Sequence, residues 1–190
     1  MTPDNTFHPT LWRTCRVLAN PKRLACLRAV MGTPNLCVAE IAREAGLDEV
    51  QGSMALRALQ ARGLIAAVRE SRWVRYVPET DPLVPSAKPL MDVLSRVLRP
   101  GEMCDEEVIR TVTAFTHPRR LAMLRCLQLH APLSIEALSA ACGISLPAAY
   151  RHLRKLSARR VVAVQDDIIT LVPRQNPLAR MLLGLNARTE

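Results

Sequence analysis

The chain repeats itself, and that repeat limits the folds open to it. A shift of 97 positions carries Pro21-Lys22-Arg23-Leu24-Ala25 onto Pro118-Arg119-Arg120-Leu121-Ala122. Without a gap, the same shift carries Arg13-Thr14 onto Arg110-Thr111 and Leu27-Arg28 onto Leu124-Arg125. It also carries Gly46-Leu47-Asp48 onto Gly143-Ile144-Ser145, and Leu56-Arg57 onto Leu153-Arg154. One offset that holds from residue 11 to residue 65 marks a duplication, so both halves should fold alike. Past that point the second copy is slightly shorter, and Val77-Pro78 matches Val172-Pro173. Each copy closes with a similar helical stretch, Lys88-Pro89-Leu90-Met91 to Val97 and Asn176-Pro177-Leu178-Ala179 to Leu185. Arg99-Pro100-Gly101-Glu102 breaks the chain between them. The expected domains are therefore 9–99 and 102–187, which a chain of 190 residues can accommodate.

Within the first copy, residues 9–18 read as a helix and Asn20 caps a second, with Pro21 at its first position. Leu24, Leu27 and Val30 keep helical spacing until Gly32-Thr33-Pro34-Asn35 interrupts it. A short third helix follows over 38–45, with Val38, Ile41 and Ala42 inward and Gly46 as a left-handed cap. Asp48 caps a fourth helix over roughly 49–62, with Met54 or Ala55, Leu56 and Leu59 toward the core, and Gly63 closes it. Leu64–Val68 and Trp73–Val77 read as two strands joined through Arg69-Glu70-Ser71-Arg72. The fold class is mainly α with small β-hairpins. With hydrophobic residues at 49% and aromatics at only 3%, Leu, Ala, Val and Ile must build the core.

The stretch Gly143–Leu156 carries the most distinctive chemistry. It reads as a tight turn, then a helix whose Ser145 is expected to accept a bond from a free N–H of the first turn. Pro147 is tolerated that early in a helix. Ala149, Leu153 and Leu156 form one apolar stripe, while Tyr150, Arg151, Arg154 and Lys155 lie largely off it. An apolar side backed by a basic side suits a duplex groove, although a merely solvated charged face has the same pattern.

Net charge supports the first alternative. The formal charge is +9 and the isoelectric point about 10.0, which favours a polyanionic partner, nucleic acid before an anionic membrane surface. No apolar run approaches the ~18 residues of a membrane span. Met1-Thr2-Pro3-Asp4-Asn5 lacks the start of a signal peptide, so the cytoplasm is the expected compartment. The six cysteines (15, 26, 37, 104, 126, 142) form no Cys-x-x-Cys pair and read as small buried hydrophobes. No Gly-x-Ser-x-Gly, phosphate loop or His-Glu-x-x-His occurs, so neither an enzyme nor a cofactor is expected.

Three helices followed by a hairpin is the winged helix-turn-helix order, and particular residues extend the likeness. Leu18-Ala19-Asn20-Pro21-Lys22-Arg23-Leu24 resembles the second-helix opening of arsenic-repressor-type (ArsR-type) regulators. Val38-Ala39-Glu40-Ile41-Ala42 with Gly46-Leu47 resembles their helix-turn, and Arg69 through Tyr76 their wing. Ser145 through Leu156 is similar to their recognition helix. The likeness spans both copies, and it implies a transcriptional regulator that binds double-stranded DNA. Family members usually dimerise through terminal helices. Two copies in one chain then imply a monomer that acts as a covalent pseudo-dimer, its seam built from roughly 10–18, 89–98, 105–116 and 177–185. Leu11, Val97, Val108, Ile109 and Leu182 favour that seam over two independent beads. The resemblance places DNA contacts at Ser145, Ala148, Tyr150, Arg151, Arg154 and Lys155 in copy two. In copy one it places them at Gln51, Ser53 and Arg57, with Arg69, Arg72 and Arg75 on or beside the wing.

The copies depart from that pattern in opposite ways. Copy one has Asp48-Glu49-Val50-Gln51-Gly52-Ser53-Met54 where the family reads bases, and its acids favour the helix dipole but repel phosphate. Copy two has the basic helix but the short acidic wing turn Gln165-Asp166-Asp167. An asymmetric DNA site is one outcome; a scaffolding protein that binds another protein is the other. Asn35-Leu36-Cys37-Val38-Ala39-Glu40 resembles the family's metal-sensing helix, but Ala39 stands where its second cysteine would be. One thiolate makes no soft-metal site. His8, His117, His130 and His152 show no ligand spacing; His117 falls where copy one has Asn20 and is expected to cap. Redox chemistry at Cys15, Cys26 or Cys37 would need exposure and a lowered pKa.

Overall fold

The computed structural model describes residues 10–172 and 176–188. The expectations that touch Met1–Asn5, His8, Pro9 and Pro173 lie outside them. The first half runs α1 (Leu11–Leu18), α2 (Pro21–Gly32), β1 (Leu36–Cys37), α3 (Val38–Glu44), α4 (Glu49–Gln60), β2 (Ala66–Glu70), β3 (Trp73–Val77) and α5 (Ala87–Val97). The second half repeats that order as α6 (Asp105–Ala114), α7 (Pro118–His130), β4 (Leu133–Ser134), α8 (Ile135–Ala141), α9 (Leu146–Ser157), β5 (Val162–Gln165), β6 (Ile168–Leu171) and α10 (Pro177–Ala187). Each half has one three-stranded antiparallel sheet, ordered β1-β3-β2 and β4-β6-β5. No helix of the described residues is long and apolar enough to cross a membrane.

Local chemistry sets most helix starts. Asn20 and Asn176 accept from the N–H of Arg23 and Ala179 at 3.1 and 3.0 Å, each followed by proline at the first turn. Asp48 accepts from the N–H of Gln51 at 2.7 Å. Gly46, Gly63 and Gly143 take positive φ where α3, α4 and α8 end, a conformation that favours glycine. Within α4, Ala55, Leu56 and Leu59 are buried and Met54 is exposed, so Ala55 is the inward member of that pair.

The strands depart from the sequence expectation in three places. First, β1 and β4 were not expected. Two residues are too few to show alternation, and their partners lie far along the chain, Leu36 opposite Tyr76 and Leu133 opposite Ile169. Second, β2 starts later than Leu64 and runs through Glu70. Leu64 and Ile65 are buried ahead of it, and Arg69 and Glu70 pair with Val74 and Trp73. The turn is thus Ser71-Arg72 alone. Third, Gln165 pairs with Ile168, which leaves Asp166 and Asp167 as a two-residue turn with both φ positive. Asp tolerates that geometry better than most side chains, so the acids suit the turn whatever they face.

A single apolar core runs through both halves, from Leu11 and Leu18 to Leu182 and Leu185. Across the seam α1 packs on α6, α5 on α10 and α2 on α6. Leu11, Val97, Val108 and Leu182 are buried there and Ile109 is half-buried against the core. Arg28 of α2 donates to the Leu98 carbonyl and pairs with Asp105 at the start of α6. Asn186 of α10, fully buried, donates to the Leu121 carbonyl at 2.9 Å. The halves are packed together rather than strung as separate beads.

Candidate nucleic-acid interface

The second half presents α9 from a well-braced corner. The buried guanidinium of Arg120 donates to the carbonyls of Ala114 and Thr113 at 2.7 and 2.8 Å, and to the Thr116 hydroxyl at 2.6 Å. It thereby covers the free carbonyls at the C-terminus of α6 and fixes α7 beneath it. Ser139 of α8 donates to the Ile144 carbonyl at 2.6 Å, closing the turn into α9. His117 caps α7 by accepting from the Arg119 N–H at 3.1 Å, and its ring lies 4.6 Å from that of buried His152. Burial, then the facing ring of His117 and the cations Arg120, Arg151 and Lys155, push His152 down to about 4. His117 is lowered by burial first, then by Arg120, Arg119, Lys155 and Arg16. His152 is therefore a buried, neutral packing residue.

Ala149, Leu153 and Leu156 face the core, as their spacing predicts. Outward lie Ser145, Tyr150, Arg151, Arg154 and Lys155, and none of the three cations meets a carboxylate among the described residues. Two expectations fail here. Ser145 occupies the cap position but its side chain makes no cap bond; Pro147, at the second helical position, has no N–H to offer it. Ala148 is buried at 5% exposure, inward beside Ala149, and offers nothing to a ligand.

In the first half α4 is built differently. Asp48 and Glu49 are exposed, and behind them Val50 and Met54 stand 71% and 67% exposed one turn apart. Gln51 and Ser53 are half-buried, and Gln51 accepts from Lys22 at 3.0 Å; Arg57 is exposed. The spacing of Gly52 follows from packing. A Cβ there would lie 2.7 Å from the Cβ of Ala42, so the glycine allows α3 and α4 to approach. On the wing, Arg69 and Arg72 are exposed, with the Arg72 guanidinium 5.3 Å from the Trp73 ring centre. Arg75 is committed elsewhere. It pairs with Glu70 at 2.8 Å and donates to the Asn35 carbonyl at 2.7 Å, which fastens the hairpin to the segment before β1.

Cys37 is part of a helix start. Its thiol sits at the cap of α3, and its N–H donates to Glu40 at 2.7 Å. Burial pushes the thiols of Cys15 and Cys26 up, away from the thiolate form that redox chemistry uses. Cys142 is pushed up to about 11 by burial and by the adjacent Cys126 thiol. Among the described residues no cluster of three or more His, Cys, Asp or Glu could hold a metal ion.

With this geometry in view, the comparison with known families is specific to one half. A model of a helix-turn-helix domain matches residues 115–165. The second half carries a helix-turn-helix domain. That match covers the start of α7 through β5, including the Gly143 turn, α9 and its exposed cations. No curated protein and no solved structure matches the chain. The match ends with β5, the first strand of the β5–β6 hairpin, which stands where a wing would.

Proposed function

We propose that the protein is a DNA-binding transcriptional regulator in which the second helix-turn-helix domain reads the duplex and the first half supports it. The observation that carries this reading is the outer face of α9: Tyr150, Arg151, Arg154 and Lys155 exposed together, its three cations free of carboxylates among the described residues. Such a face supplies bidentate donors for guanine edges and point charges for phosphates. The basic wing residues Arg69 and Arg72 add phosphate contacts, whereas Arg75 is occupied within its hairpin. The resemblance of both halves to arsenic-repressor-type regulators, together with the shared core, supports a monomer that works as a pseudo-dimer on an asymmetric site. A cytoplasmic location is consistent with this role.

A second reading has its own support. Exposed Val50 and Met54, flanked by Asp48 and Glu49, suit a protein partner better than a polyanion. On that reading the tandem is a scaffold. An electrophoretic shift survey of genomic duplex fragments at moderate salt separates the two. Specific retardation that weakens in Arg151→Ala supports regulation; no retarded fragment, or retardation indifferent to both Arg151→Ala and Arg72→Ala, leaves scaffolding as the function.

A further inference from the structure

The strongest unassigned feature is a groove of about 450 Å³ on the seam, between α5 and α10. Its volume falls in the range of small-molecule sites. The floor is apolar, formed by Val93, Met181 and Leu185. Arg96, Arg180 and Arg188 stand around it, and no carboxylate among the described residues lines it. Arg96 donates through Nε to the Asp92 carbonyl at 3.0 Å, while the guanidiniums of Arg180 and Arg188 meet no acidic side chain among the described residues. Three exposed guanidiniums beside an apolar floor give the groove a positive rim that suits an anion with an apolar body.

Gly184 is an independent observation. It lies inside α10, where glycine disfavours the helix, and it lines this groove. A Cβ at that position would meet nothing within 4 Å. Neither packing nor a positive φ within the chain asks for glycine there. The position is exposed, so the glycine leaves the α10 backbone bare toward the groove.

We infer that the groove between α5 and α10 binds an organic anion with an apolar body, of the medium-chain carboxylate class. Its tail lies on Val93 and Met181 along the gap that Gly184 leaves. The carboxylate meets Arg180 and Arg188, with Arg96 completing the positive rim. This site is distinct from the α9 face and does not depend on DNA binding.

The test is a titration of the full chain with decanoate, followed by displacement of the fluorescent probe 8-anilinonaphthalene-1-sulfonate and by calorimetry. Decanol, with the same tail and no charge, and acetate, with the charge and no tail, are the controls. Decanoate should bind one per chain and raise the melting temperature, because a ligand held by the folded state alone stabilises it. Decanol and acetate should each bind at least tenfold more weakly. Arg180→Gln with Arg188→Gln should lose at least tenfold. Gly184→Leu should lose binding while melting no lower than the parent, since the space it fills is open. Absence of decanoate binding to the parent, decanol binding as tightly as decanoate, or full binding in both variants overturns the inference.

Discussion

Laid over one another by the repeat, α4 and α9 share their buried side and differ on the exposed one. Leu56 and Leu59 stand where α9 has Leu153 and Leu156, and all four are buried. On the outer side Asp48, Glu49, Val50 and Met54 stand where α9 has Ser145, Leu146, Pro147 and Arg151, and half-buried Ala58 stands where α9 has exposed Lys155. Packing therefore holds one scaffold twice, while the surfaces diverge in charge. Some interior changes come as linked sets. Asn20 and Ala55 correspond to His117 and His152, the two rings in contact; Ala42 and Gly52 correspond to Ser139 and Ala149. In the first half the α3–α4 approach is close enough to require glycine, whereas in the second a serine hydroxyl closes the turn instead. The lesson is that a repeated scaffold can keep its buried side while the exposed faces of its two recognition-position helices diverge in charge.

The largest effect should come from the part the halves share. Leu59→Ala and Leu156→Ala each leave a cavity in one continuous core and should each cost about 2–5 kcal/mol. Because the core crosses the seam, both variants should give a single lowered calorimetric transition. Two separated transitions would mean that the halves unfold independently.

Next in size is the binding contrast. Arg151→Ala should cost about 1–3 kcal/mol on a specific duplex, the range of a good base contact. Met54→Ala, at the corresponding position, should leave affinity unchanged. Equal losses from the two would erase the functional distinction between α4 and α9.

A third effect separates the interiors. Gly52→Ala adds helix propensity worth about 1 kcal/mol but forces a Cβ onto that of Ala42, 2.7 Å away. Overpacking of that kind costs about 1–3 kcal/mol, and because the neighbour is a Cβ with no rotamer to escape into, the net effect should be destabilising. Denaturant titration checks the sign.

These contrasts also show what could be read in the sequence and what could not. The helices, their proline and asparagine starts and the glycine turns were legible because each depends on residues within one or two turns. The strands β1 and β4 were not, since pairing across about forty residues leaves no local pattern. Helical spacing and charge together pointed to Arg151, Arg154 and Lys155, whereas Arg75 was counted from the wing resemblance, which says nothing of its pairing with Glu70. Ala148 was counted from the resemblance alone, and the structure puts it inward beside Ala149. Arg120 resembled its surface neighbour Arg119, and nothing in its spacing announced a buried guanidinium under α6.

Acid stability should distinguish the halves as well. His152 is held neutral, with its folded pKa near 4 against an ordinary 6.5. The unfolded chain thus binds the extra proton first, and stability is full above about 6.5 and falls as the pH drops from there toward 4. His152→Gln should flatten melting temperature against pH over that window. Ala55, at the matching position in the first half, contributes no such dependence. The smallest effect belongs to Asp48→Asn with Glu49→Gln. Removing each charge near the N-terminus of α4 should cost about 0.3–1 kcal/mol of dipole stabilisation, and DNA affinity should stay constant if α4 lies off the duplex.

The central claim, that duplex binding runs through α9 of the second half, is tested most directly by fluorescence anisotropy on one retarded fragment across a salt series. Each phosphate contact contributes a slope of about −0.9 in log affinity against log salt. Arg154→Ala with Lys155→Ala should weaken binding and flatten that slope by about two contacts, while Arg57→Ala in the first half leaves it unchanged. An unchanged slope in the double variant, with a flattened one in Arg57→Ala, would place the duplex on α4 and contradict the account.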